Sequence, residues 1–79
     1  MTSVLSNKTR KLNVRAAVKN CEQLSAAGMS EDASFRRLYR QTLLRLDEIA
    51  HETGYQKRWL KKLYIRMDAI QPSTWKVTN

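Results

Sequence analysis

An all-α domain of three helices is the fold this 79-residue chain predicts, and three observations carry it. Apolar residues recur at three- and four-residue spacing in three successive stretches. The two glycines, Gly28 and Gly54, both fall where such a stripe stops. No stretch alternates apolar and polar residues as a half-buried strand does, and no repeat or low-complexity tract interrupts the pattern.

Met1 to Leu12 is polar and basic without periodicity, which reads as a flexible basic arm over residues 1–12 leading into a domain over 13–79. From Asn13, an apt N-cap, Val14, Ala17, Val18, Cys21 and Leu24 form a one-sided stripe that Gly28 stops. These small side chains allow close packing but offer limited apolar area. Ser30 reads as the cap of the second helix, with Glu31 and Asp32 favourably placed in its first turn against the helix dipole. Phe35, Leu38, Tyr39, Thr42, Leu43, Leu46, Ile49, Ala50 and Thr53 then keep one phase. Arg36, Arg37, Arg40, Arg45, Asp47, Glu48, His51 and Glu52 take the other side, so a single long helix runs unbroken to Gly54. Only Leu44 falls among those polar residues.

The third helix, Lys57 to Ile70, sets Trp59, Leu60, Leu63, Tyr64, Met67 and Ile70 on one arc. Lys57, Arg58, Lys61, Lys62 and Arg66 occupy the other, with Ile65 among them. Pro72 ends the helix, and the tail Ser73-Thr74-Trp75-Lys76-Val77 is expected to fold back so that Trp75 buries its ring.

A chain of this size makes one small domain of modest stability, to which a dimer or a bound partner can contribute. The net charge of +8 and pI near 10.2 point to polyanions or acidic protein surfaces. Residues 1–29 carry five bases and one acid, 30–54 four and five, and 55–79 six and one. Two basic ends thus flank a neutral middle.

Cys21 is alone, which excludes an intramolecular disulfide and makes a reducing, cytoplasmic compartment the default. With one histidine, His51, it cannot assemble a four-ligand zinc site, and no cofactor is expected. No apolar run approaches the ~20 residues of a membrane span. The acid-free stretch before Glu22, rich in Ser, Thr, Lys and Arg, also has the composition of a mitochondrial presequence. A basic amphipathic third helix could lie on an anionic membrane only by exposing Trp59, Leu63 and Met67, which the core needs.

An enzyme is not expected. No glycine-rich phosphate loop or nucleophile motif is present. His51 stands on a polar face beside Asp47 and Glu52, Cys21 lies on an apolar stripe, and Arg45 with Glu48 is spaced as a surface ion pair.

The functional signal is the third helix. No carboxylate stands on it before Asp68. Ala50 and Gly54, with Ile49, Leu60 and Leu63 around them, have the spacing of a helix-turn-helix. The small residue permits close approach, and the glycine supplies a positive φ at the turn. On that reading Gln56, Lys57 and Arg58 enter a major groove, with Gln56 suited to adenine and Arg58 to guanine. Lys61, Lys62 and Arg66 then meet phosphates, and Lys8, Arg10 and Lys11 act as an arm along the duplex. The plainer reading of the same arc is a solvated helix face. On the second helix, Arg36, Arg37, Arg40 and Leu44 form a patch suited to an acidic partner.

Leu46, Glu48, Ile49, Ala50, Gly54, Tyr55, Leu60 and Leu63 resemble the first helix-turn-helix of AraC-type transcription activators. The resemblance implies sequence-reading contact with double-stranded DNA. The helix before the turn is longer than in that family and the second helix-turn-helix subdomain is missing, so a homodimer or a co-binding protein is implied as well. Ser30-Glu31-Asp32, Leu38-Tyr39-Arg40, Arg45, Glu48 and the closing Pro72-Ser73-Thr74-Trp75-Lys76 are similar to the Hha/YmoA family. That likeness implies a modulator that binds the nucleoid protein H-NS and has no readout of its own. Where that family has an Asp-His pair, this chain has Leu43 and Leu44. Leu38-Tyr39-Arg40 also resembles the opening of mitochondrial LYR-motif adaptors, although the only phenylalanine, Phe35, lies upstream. The expectation is therefore a small, basic, nucleoid-associated transcription regulator that contacts DNA through its third helix. The alternative is a protein-binding modulator of a DNA-binding partner.

Overall fold

The computed structural model describes residues 7–54 and 56–75, apart from the side chains of Asn7, Lys8 and Ser73. Three α-helices follow in order, α1 (Asn7–Ala26), α2 (Ala33–Thr53) and α3 (Arg58–Ile70), before a single 3₁₀ turn at Ser73–Trp75. No strand occurs among the described residues.

α1 starts six residues earlier than its apolar stripe suggests. Asn13 is an exposed residue inside the helix and not its cap, and Arg10 and Lys11 are helical and not part of an arm. The physical reason lies in partners that no local pattern reveals. Arg10 pairs with Glu52 of α2, and the Lys11 ammonium sits 5.1 Å from the Trp59 ring centroid on α3. The rest of the expected arm, residues 1–6, lies outside the described residues. At its other end α1 closes as Gly28 predicts. Gly28 has φ +80°, its N–H donates to Ser25 O, and the Met29 N–H donates to Leu24 O, the paired bonds of a Schellman motif.

α2, by contrast, starts later than expected. Ser30 does not cap it; its hydroxyl donates to that of Ser25 at 3.4 Å. Asp32 holds the N-cap position with extended backbone and no side-chain capping bond. The helix then runs unbroken to Gly54, whose N–H donates to Ala50 O at 2.7 Å and whose φ of 99° turns the chain. α3 begins at Arg58, one residue after its expected start.

Side-chain contacts fix the topology. Arg10 with Glu52 and Cys21 with Thr42 run α1 antiparallel to α2. Lys11 with Trp59 and Arg66 with Glu22 run α1 parallel to α3. The Tyr64 hydroxyl donates to Asp47 at 2.5 Å and the Tyr39 hydroxyl to Met67 O at 2.8 Å, so α3 folds back along α2. Tyr39 lies about 21 Å along α2 from the turn and Met67 about 14 Å along α3. For two residues that far out to touch, the α2–α3 hairpin must be narrow. The result is an up-down-up three-helix bundle.

Its core is formed by Phe35, Leu46, Leu60 and Met67 with Val14, Val18 and Cys21, all fully or almost fully buried. Trp75 folds back, as the proline before it predicts, and its ring packs 5.6 Å from Phe35 and edge-on to Tyr39 at 5.2 Å. Lys76 and Val77 of the same tail lie outside the described residues. Besides the Tyr39 hydroxyl, Thr42 brings a polar side chain into the core. The Thr42 hydroxyl donates to Leu38 O at 2.7 Å and lies 3.6 Å from Cys21 Sγ, which satisfies it without water.

Candidate nucleic-acid interface

Charge is divided between the helices. α1 carries five bases and one acid and α3 four and one, whereas α2 carries four and three. The two cationic helices are the two that run parallel, side by side.

Their seam is marked by two contacts, Lys11 on Trp59 at one end and Glu22 with Arg66 at the other. Arg15 stands one turn beyond Lys11 on the same stripe of α1, and Lys19 one turn beyond Arg15. On α3, Trp59, Lys62 and Arg66 follow at three- and four-residue spacing along the seam, with Arg58 one turn before Lys62. Arg15, Lys19, Arg58 and Lys62 are exposed, and Lys11 and Arg66 half-buried. Six cations therefore share one face of two helices, and among the described residues Glu22 is the only acid on it.

Glu22 is held by two donors of Arg66, Nη2 and, at 3.0 Å, Nε. The hydrogen-bonded guanidinium keeps this carboxyl below its ordinary range, and the carboxylate in turn raises the arginine. Arg10 and Glu52 shift each other in the same directions for the same reason.

The expected contact residues thus have several settings. Gln56, Lys57 and Arg58 are exposed at one end of the bundle, where α2 turns into α3. Lys62 lies on the α1–α3 face. Lys61 is exposed on the opposite flank of α3, the flank of Tyr64 and Asp68. Arg66 is not an unpaired cation, because a carboxylate reaches it from α1. Arg10 is likewise paired, to α2. The Lys8 backbone is helical and its side chain lies outside the described residues. On α2, Arg36 stacks 5.1 Å from the Trp75 ring centroid, while Arg37, Arg40 and Leu44 are exposed on the side turned away from α1 and α3.

Two residues of the cationic face, Arg15 and Lys19, have no place in the sequence reading. The signal was the run 11, 15, 19 at helical spacing, which a helix starting at Asn13 cuts in two. His51 is exposed and Cys21 buried, and burial pushes the thiol upward despite the Thr42 contact. Arg45 and Glu48 line one cleft between α1 and α2 without closing to an ion pair among the described residues. No three His, Cys, Asp or Glu side chains among the described residues come together to hold a metal ion. Among the described residues, no helix is long and apolar enough to cross a membrane. No family model, curated protein or solved structure matches the chain.

Proposed function

We propose that this chain is a small DNA-associated protein that grips the phosphate backbone with the face formed by α1 and α3. The observation that carries the reading is the set of six cations, Lys11, Arg15, Lys19, Arg58, Lys62 and Arg66, with Glu22 the only acid beside them among the described residues. Cations crowded on one face repel each other unless a polyanion neutralises them, and a duplex that does so releases its condensed counterions. The narrow α2–α3 hairpin favours this backbone grip over insertion of α3 into a groove. Gln56, Lys57 and Arg58, at the end of the bundle, are the groups available for base contact, in the manner of the helix-turn-helix that the sequence resembles. Transcription regulation follows from occupancy of DNA, alone or beside a DNA-binding protein.

The test is anisotropy titration of a labelled duplex at two salt concentrations. Arg15→Ala combined with Lys62→Ala should weaken binding to every sequence and flatten the salt slope by about two units, one per phosphate contact. Lys61→Ala, on the opposite flank, should do less. A double variant that titrates like the wild type overturns the assignment of the face. Selection from a random duplex library then separates backbone grip from base reading, since an enriched motif that Arg58→Ala abolishes means direct readout.

A second reading has its own observation, the exposed Arg36, Arg37, Arg40 and Leu44 on α2. It makes the chain a modulator that docks on a DNA-binding protein such as H-NS. Absence of duplex binding at low salt, together with capture by that partner, supports it.

A further inference from the structure

The outward side of α2 is divided along its length. Its N-terminal half presents Arg37 and Arg40 and its C-terminal half Asp47, Glu48 and His51, all exposed. Leu44, 56 % exposed, stands between the halves. Ala33, Arg37, Arg40, Leu44, Asp47 and His51 recur at three- and four-residue spacing, so they form one continuous stripe with Glu48 at its edge. Two shallow depressions meet at Leu44. One runs back to Arg36, Arg37, Arg40 and Gln41, closed at its far end by Glu31 and Asp32. The other runs forward to Asp47, Glu48, His51 and Glu52. Arg37, Arg40 and Glu48 form no ion pair within the chain among the described residues.

We infer that this stripe docks on the same stripe of a second copy, antiparallel, with a two-fold axis passing beside Leu44. A helix that is basic before its midpoint and acidic after it is complementary to itself when reversed, which is what an isologous interface requires. In that arrangement the two Leu44 side chains meet on the axis and remove their apolar surface from water. Arg40 lies over Glu48 of the second copy and Glu48 over Arg40, so the contact is made twice. Arg37 comes over His51, whose ring nitrogen can accept a guanidinium hydrogen. Asp47, exposed and held by the Tyr64 hydroxyl on the α3 flank, adds its negative charge to this half of the stripe. A parallel arrangement would place arginines against arginines and is excluded by like-charge repulsion. One helix pair buries less than a standard interface, so the dimer is weak and salt-sensitive.

Sedimentation equilibrium of the full chain from about 5 to about 500 μM, at low and high salt, reads this directly. Wild-type chain should associate at low salt and dissociate at high salt. Arg40→Glu and Glu48→Arg should each raise the dimer Kd by about tenfold or more, because each reverses two symmetric contacts. Mixed in equal amounts, the two variants should form a heterodimer, since Glu at 40 then meets Arg at 48 and the native Glu48 meets the native Arg40. Leu44→Glu provides a second disruption in case Glu48→Arg disturbs the neighbouring Arg45 and Arg10, and circular dichroism confirms that each variant is folded. A wild-type chain that stays monomeric throughout overturns the inference and leaves the arginine patch to an acidic protein. Single variants that associate like the wild type, or variants that lose self-association and fail to pair with each other, overturn it as well.

Discussion

Arg66 on α3 clasps the carboxylate of Glu22 on α1 with two donors, one of them Nε at 3.0 Å, at one end of the cationic face. The pair stitches the two parallel helices together, and on the proposed reading it also neutralises one of the six cations available to a polyanion. Fold and proposed function therefore pull in opposite directions at this position. Glu22→Gln should lower stability by about 1 kcal/mol, the scale of a partly exposed ion pair. The same change should tighten duplex binding and steepen its salt slope by about one unit, because Arg66 is released to a phosphate. Thermal unfolding and anisotropy titration on one variant check both signs. Weaker duplex binding by a folded variant counts against the α1–α3 face.

Glu22 and Glu52, which among the described residues reach an arginine across helices, sit below their ordinary value of 4.5. The unfolded chain binds protons at that ordinary value and the folded chain only at lower pH. Their contribution is thus complete above about pH 4.5 and is lost as the pH falls through the folded values. The melting temperature should be flat from neutral pH to about 5 and then decline, with a shallower decline in Glu22→Gln. Melting curves recorded by circular dichroism across this range provide the comparison.

The order of the helices, their apolar faces, both glycine turns and the return of Trp75 were legible because each is written locally, in spacing or in a residue that permits a positive φ. The ends of α1 and α2 were less so. Arg10 and Lys11 look like tail residues until Glu52 and Trp59 are brought to them from more than forty residues away. The cationic face was half legible for the same reason. Lys62 and Arg58 declare themselves on α3, but Arg15 and Lys19 join them only once α1 is known to lie parallel to α3. Glu22 reads as an isolated acid in sequence, and nothing local says that it claims Arg66.

Cys21 Sγ lies 3.6 Å from the Thr42 hydroxyl in the centre of the bundle, fully buried, with its thiol pushed upward by burial. A thiol in this state is both protonated and sealed from solvent, so it should not react with a disulfide reagent in the native chain. Its labelling rate should follow global unfolding across a denaturant series and should not track local fraying. Thr42→Ala removes the hydroxyl and leaves a small void, which should cost about 1–2 kcal/mol and speed labelling in proportion. Rapid native labelling in the wild type would mean that α1 detaches from α2 below the global unfolding free energy.

In an up-down-up bundle the outward side of α2 faces away from the α1–α3 surface. Two copies joined through α2 therefore turn their cationic faces in opposite directions, and a single duplex cannot lie against both. The expected consequence is bridging. At low salt, wild-type chain should carry a labelled duplex onto beads that bear an unlabelled one, and the yield should fall steeply as salt weakens both the dimer and the phosphate contacts. Leu44→Glu separates the two steps, since it leaves the α1–α3 face untouched. It should bind one duplex with wild-type affinity and capture none. A monomeric Leu44→Glu chain that still captures the second duplex would mean that one copy holds two polyanion sites, and the surface of α2 would have to be one of them.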